Sequence, residues 1–176
     1  MKLKSLIALV ATTICAAYML TSCNKTDYPD GLPEYDNYYY VGYLPWNNTA
    51  ITVNKTQTTP LKFPVEFHSS FTRNYDAVAH FKLDATGLPA DSLAVVGKDF
   101  NIVDKDGNAL KALGDSVYTI TFPQAKYAVD TIYVKMLNNT AAVGKRYINI
   151  NLTLNKTDQY TVGTFSDAYK RPLKIQ

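Results

Sequence analysis

The chain has 176 residues, of which 47% are hydrophobic and 19% charged, and its formal charge is +3. That charge is too small for a nucleic-acid-binding footprint. Two cysteines, eight glycines and eight prolines exclude a disulfide scaffold and a low-complexity chain, and no pattern of repeated long apolar spans suggests a multi-span membrane protein. The outlier is tyrosine, with 14 copies against one tryptophan.

In chain order, Lys2 and Lys4 precede an apolar run from Leu6 to Leu20. Those residues are too few to span a hydrocarbon core of ~30 Å, so the run reads as the h-region of a secretory signal. Leu20-Thr21-Ser22-Cys23 follows directly and resembles the bacterial lipobox. The resemblance implies cleavage before Cys23, acylation of that residue, and anchoring of the exported protein to a lipid bilayer, which stable attachment by several acyl chains would satisfy. Cys15 would be discarded with the signal, leaving 154 residues with 16 basic and 15 acidic groups and no thiol for catalysis, redox chemistry or zinc. Residues 23–37 form the lipidated cysteine and an acidic, proline-containing tether, with Asp27, Asp30, Glu34 and Asp36 beside Pro29, Gly31 and Pro33. Acidic residues after the lipidated cysteine are similar to the surface-export signals of Bacteroidetes lipoproteins.

From Tyr38 the apolar period is two, which signals strands with one buried face. Leu61, Phe63, Val65 and Phe67 alternate with Lys62, Pro64, Glu66 and His68; Pro64 predicts an edge strand or a bulge there. Tyr75–Asp84, Val117–Phe122, Val129–Leu137 and Arg146–Leu154 alternate likewise, the last with Ile148, Ile150, Leu152 and Leu154 facing inward. Shorter strands are expected at Tyr38–Tyr43, Ala50–Asn54, Phe100–Asp104, Tyr160–Phe165 and Leu173–Ile175, and a helical turn at Ala90–Val96. Turn chemistry separates them, as at Asp106-Gly107 and Leu113-Gly114-Asp115. Eight to ten short strands in this length predict a single all-β domain over residues 38–176, an antiparallel two-sheet immunoglobulin-like sandwich.

Ala94, Gly97, Asp99 and Phe100, then Phe122-Pro123, then Asp130-Thr131-Ile132-Tyr133-Val134 form a pattern that resembles Calx-beta-like or immunoglobulin-like domains of Bacteroidetes lipoproteins encoded near SusC/SusD glycan-uptake pairs. The resemblance implies an outer-membrane lipoprotein, displayed toward periplasm or cell surface, with a glycan or SusC/SusD-like proteins as partners. Calcium-binding members carry acidic residues after the Thr-Ile-x-Val strand; Leu137, Asn138, Asn139 and Thr140 stand there instead.

No catalytic set emerges. Asp104-Lys105-Asp106-Gly107-Asn108 resembles part of a calcium loop, but Ile102 and Leu113 would fall at two anchor positions, so a hairpin turn is expected and no metal or cofactor. His68 and His80 sit on polar faces of different strands and lack a third ligand. There is no Gly-x-Ser-x-Gly elbow, and glutamate occurs only at Glu34 and Glu66, so paired carboxylates for glycoside hydrolysis are not indicated. The chain therefore reads as a non-enzyme.

The strongest lead is aromatic. Tyr38, Tyr39, Tyr40, Tyr43 and Trp46 crowd the start of the fold, with Tyr147 on the polar face of a later strand. Such rings suit stacking on a sugar face, and successive strand residues must point to opposite faces. The reading is an accessory, non-catalytic binding component of a glycan-uptake or envelope complex; the alternative is a structural or adhesive protein acting through edge-strand pairing. Asp91-Ser92-Leu93, Asp115-Ser116-Val117 and Asp130-Thr131-Ile132 are similar to O-glycosylation acceptors of Bacteroidetes envelope proteins, which marks Ser92 and Ser116 as candidate sites.

Overall fold

The computed structural model describes residues 37–176, apart from Phe71, Arg73 and Ala125, and these residues belong to one compact unit. Cys23, the preceding signal and the tether up to Asp36 lie outside the described residues.

Among the described residues eleven strands form two sheets: β1 Tyr38–Tyr43, β2 Ile51–Val53, β3 Leu61–Ser69, β4 Ala77–Asp84, β5 Phe100–Val103, β6 Val117–Phe122, β7 Tyr127–Met136, β8 Arg146–Thr153, β9 Asn155–Lys156, β10 Thr161–Thr164 and β11 Lys170–Ile175. The six-stranded sheet runs β5-β7-β3-β1-β10-β9 and the five-stranded sheet β2-β11-β8-β4-β6. The fold is an all-β sandwich. Between the sheets lies one core in which Val41, Phe67, Phe81, Phe122 and Ile150 are among the fully buried side chains. Period-two alternation explains it: Phe63, Val65 and Phe67 of β3 and Ala77, Ala79, Phe81 and Leu83 of β4 point inward in turn.

Four expectations are corrected. Pro64 does not mark an edge, because β3 pairs with both β7 and β1. Its carbonyl accepts from Leu44 N at 3.0 Å, so its missing donor lies on the same side, where β1 has ended at Tyr43 and the chain departs through the cis Leu44–Pro45 bond. The sheets are not wholly antiparallel, since β1–β10 and β2–β11 pair in parallel; the early strands join late ones across the chain. Leu154 is exposed, because β8 stops at Thr153 and the two-residue β9 begins next. The helical turn shrinks to a 3-10 turn at Ala90–Ser92.

The sheet edges are treated unequally. β5 is covered by the returning chain, with Leu110 N donating to Ile102 O at 2.9 Å. β2 and β9 are three and two residues long. β6 has six residues without a charge. Leu83 N donates to Ser116 O, and Val117 exchanges bonds with Leu113 and Gly114. Antiparallel alternation from that pair turns the backbone N–H and C=O of Thr119 and Thr121 away from β4.

Candidate functional site

The outer face of the six-stranded sheet carries an aromatic layer, and register explains it. His68 of β3 stands between Tyr127 of β7 and Tyr40 of β1, and Tyr40 faces Gly163 of β10. In the next row Glu66 lies between Val129 and Gly42. The two glycines form a floor. A Cβ on Gly42 would lie 2.7 Å from Phe165 Cδ2, and one on Gly163 would lie 3.1 Å from Tyr38 and 3.3 Å from Tyr40. Without side chains at these positions, the rings lie close over the backbone.

The rings form a continuous chain. Centroids are 5.0 Å apart for Tyr38–Tyr40, 5.6 Å for Tyr40–Phe165 and 4.6 Å for Phe165–Trp46, the last pair stacked at 25°. His68 makes T-shaped contacts with Trp46, Phe165 and Tyr127. Trp46 is 51% exposed, Tyr127 59% and Tyr40 37%. A depression of about 250 Å³ lies beside them, bounded by Tyr38, Tyr40, His68, Ser69 and Ser70.

Glu66 ties this layer together from beneath. Trp46 Nε1 donates to Glu66 Oε2, and the Tyr127 phenol lies against the same carboxylate. His68 Nε2 lies 3.2 Å from Glu66 Oε1, a separation suited to an ion pair in a geometry too poor for a hydrogen bond. Burial pushes the Glu66 carboxyl up, but its contacts with Tyr127, Trp46 and His68 outweigh that and hold it below its ordinary range. The Tyr127 phenol is pushed up by its bond to that carboxylate.

The Trp46 loop is gripped from the core side. Asn47 N donates to Pro45 O at 2.7 Å, which makes Trp46 the centre of a tight turn. Arg171, only 3% exposed, donates from Nη1 to Asn47 Oδ1 at 2.8 Å and from Nη2 to Pro45 O at 3.0 Å. Its guanidinium sits 5.0 Å over the Tyr43 ring, a cation–π contact. Burial pushes the Arg171 pKa down and the Tyr43 phenol far up.

Of the sequence-derived aromatics, the structure brings Tyr38, Tyr40 and Trp46 to one face. Tyr39 and Tyr43 are core residues at 1% and 0% exposure, because alternation turns them inward; they cannot contact a surface ligand. Tyr147 lies on β8 of the other sheet, bridged to Leu93, so it is no part of the layer. Glu66, assigned to an edge-like strand from the sequence, sits centrally and buried. Phe165, Tyr127 and Arg171 were missed. The Val-Gly-Thr-Phe run at 162–165 was the one local signal for Phe165, since a strand glycine marks close approach; Tyr127 and Arg171 had none.

The remaining candidates have structural settings. Asp104 accepts from Asp106 N and Asn108 N, both at 2.9 Å, as a turn residue. Asp99 accepts from Val95 N at 2.7 Å and Asn139 Nδ2 at 2.8 Å, so an amide donor occupies the carboxylate that the Gly-x-Asp-aromatic pattern supplies. His68 and His80 lie in different sheets, and among the described residues no three His, Cys, Asp or Glu side chains gather as a metal site. Ser92 ends the 3-10 turn, and Ser116 has a φ of 62° in the turn before β6.

No protein-family model and no curated protein matches this chain. Among solved structures it is similar to a two-domain protein of unknown function from Bacteroides fragilis NCTC 9343, at 10% identity over 83% of this chain and 47% of that one, with a TM-score of 0.51. It is also similar to the apo-form Calx CBD1 domain, at 12% identity over 78% of this chain and 97% of that one with a TM-score of 0.45, and to CBD12 from CALX1.2, at 14% over 78% and 43% with 0.48. The likeness to the Bacteroides fragilis protein is one of fold.

Proposed function

We propose that this chain is the non-catalytic binding domain of an exported outer-membrane lipoprotein, anchored through acylated Cys23, that holds a glycan against the outer face of its six-stranded sheet in an uptake complex with SusC/SusD-like partners. The observation that carries the binding role is the Trp46 ring. It lies flat on Phe165, has its N–H fixed by Glu66, and is half exposed. A rigid aromatic plane suits the apolar face of a pyranose, and the Tyr127 and Tyr40 hydroxyls provide polar groups at its margins. A glycan-array screen of Asn24–Gln176 beside Trp46→Ala tests it. The expected result is a glycan bound by the parent chain and lost in the variant; retention of every bound glycan by the variant refutes the platform.

The free β6 edge favours a second reading, as a structural or adhesive protein. Thr119 and Thr121 present backbone donors and acceptors to an incoming strand. Thr121→Pro removes an outward N–H while leaving the bonds to β4, so in-cell crosslinking should lose a partner. A monomer without an envelope partner before and after substitution rejects this reading.

A further inference from the structure

Behind the Trp46 loop lies a cavity of about 400 Å³ whose walls include Leu44, Pro45, Ile51 and Phe63. Both charged residues lining it, Lys62 and Arg171, are cations. Burying a guanidinium is costly unless a counter-charge or a full set of acceptors meets it. Arg171 meets two neutral oxygens and a ring face, and no carboxylate among the described residues pairs with it. A guanidinium carries five N–H donors, and the bonds to Asn47 and Pro45 engage Nη1 and Nη2 once each.

We propose that this cavity binds a carboxylate carried on a compact ligand, with Arg171 as the fork that receives it and Lys62 as a second cation at the mouth. A planar guanidinium matches a carboxylate with paired hydrogen bonds. The apolar walls suit a small hydrocarbon or pyranose body, and the volume falls in the range of small-molecule sites, roughly 300–1,000 Å³. Two sources supply the same group: a uronic acid unit of a glycan or a free short-chain carboxylate. The site does not depend on stacking at Trp46. It does adjoin it, because Pro45 and Asn47, the flanking residues of Trp46, also line the cavity.

Trp46 is the sole tryptophan, so fluorescence reports on this loop alone. The full chain is titrated with sodium glucuronate, sodium hexanoate, glucose, and sodium chloride at matched ionic strength, reading Trp46 emission and melting temperature. The expected result is a saturable shift in both with at least one carboxylate and none with glucose or chloride. A response to glucuronate alone assigns a sugar acid, and one to hexanoate alone an aliphatic acid. Arg171→Lys should weaken binding about tenfold or more, and Lys62→Met by a smaller factor. Lys62 is exposed, so that variant decides the matter if the Arg171 variant does not fold. Carboxylates that act no differently from chloride overturn the proposal, as does binding unchanged in the variants that fold.

Discussion

Phe165 lies over Gly42 so closely that one added carbon would sit 2.7 Å from its ring. The contact is held on both sides, because Phe165 N donates to Val41 O at 3.1 Å and both Tyr40 and Trp46 stack on the Phe165 ring. Gly42→Ala therefore should lift Phe165 and the indole above it. Overpacking of this kind costs about 1–3 kcal/mol. Urea unfolding should show that loss, and Trp46 emission should change in the folded variant, although residue 46 is untouched.

The indole depends on the charge of Glu66. That carboxyl has its pKa depressed in the fold, so its contribution to stability is complete above the ordinary carboxylate value of about 4.5 and is lost as pH falls through the lower folded value. Protonation replaces a charge-assisted acceptor with a weaker one. Trp46 emission should therefore show a step below about pH 4.5, before the global unfolding transition. Glu66→Gln should remove this separate acid step. An identical acid profile in the variant would show that another group governs the indole.

Strand existence was legible because a period of two survives wherever one face is buried. Phe63-x-Val65-x-Phe67 and Ile148-x-Ile150-x-Leu152 needed no tertiary information. Pro64 misled because local chemistry says only that a donor is missing; the ending of β1 beside it is a fact of topology. The same limit governed the site. Tyr38 and Tyr40 follow from alternation once one face is outward, and the same rule turns Tyr39 and Tyr43 inward. Phe165 and Tyr127 reach the layer through pairing of β1 with β10 and β3 with β7, partners far away in sequence. Arg171 was illegible for a stronger reason: it precedes the strand expected at Leu173–Ile175, and a charged residue there reads as solvated until β11 is seen to begin at Lys170 and turn it toward the Trp46 loop.

Asn47→Ala isolates that grip without touching the core. The side-chain oxygen of Asn47 accepts from Arg171 Nη1 at 2.8 Å and from Thr49 N at 3.0 Å. Removing it leaves a buried guanidinium short of an acceptor, at a cost of about 1–3 kcal/mol. The variant should unfold at lower urea concentration with an unchanged denaturant slope, and acrylamide should quench Trp46 more readily. Asn47→Asp should restore part of the stability, since its carboxylate also accepts from Arg171.

Trp46→Ala and Tyr39→Ala should separate binding from folding. Trp46 is half exposed above the sheet, whereas Tyr39 stacks on Phe67 at 5.1 Å and is buried. Removing a buried aromatic costs about 3–5 kcal/mol, so Tyr39→Ala should lose most of the domain's stability. Trp46→Ala removes one stacked partner and the indole bond to Glu66, and its unfolding midpoint should fall much less. Its effect on a glycan ligand should be larger than on the fold: an aromatic hot spot contributes about 2 kcal/mol or more, which is about 30-fold in affinity. Tyr40→Phe keeps the ring and deletes the hydroxyl, so it should preserve stacking and reveal whether that phenol bonds the ligand. Titration calorimetry with a glycan identified on the array measures all three. Equal affinity of Trp46→Ala and the parent chain would move the site off this face.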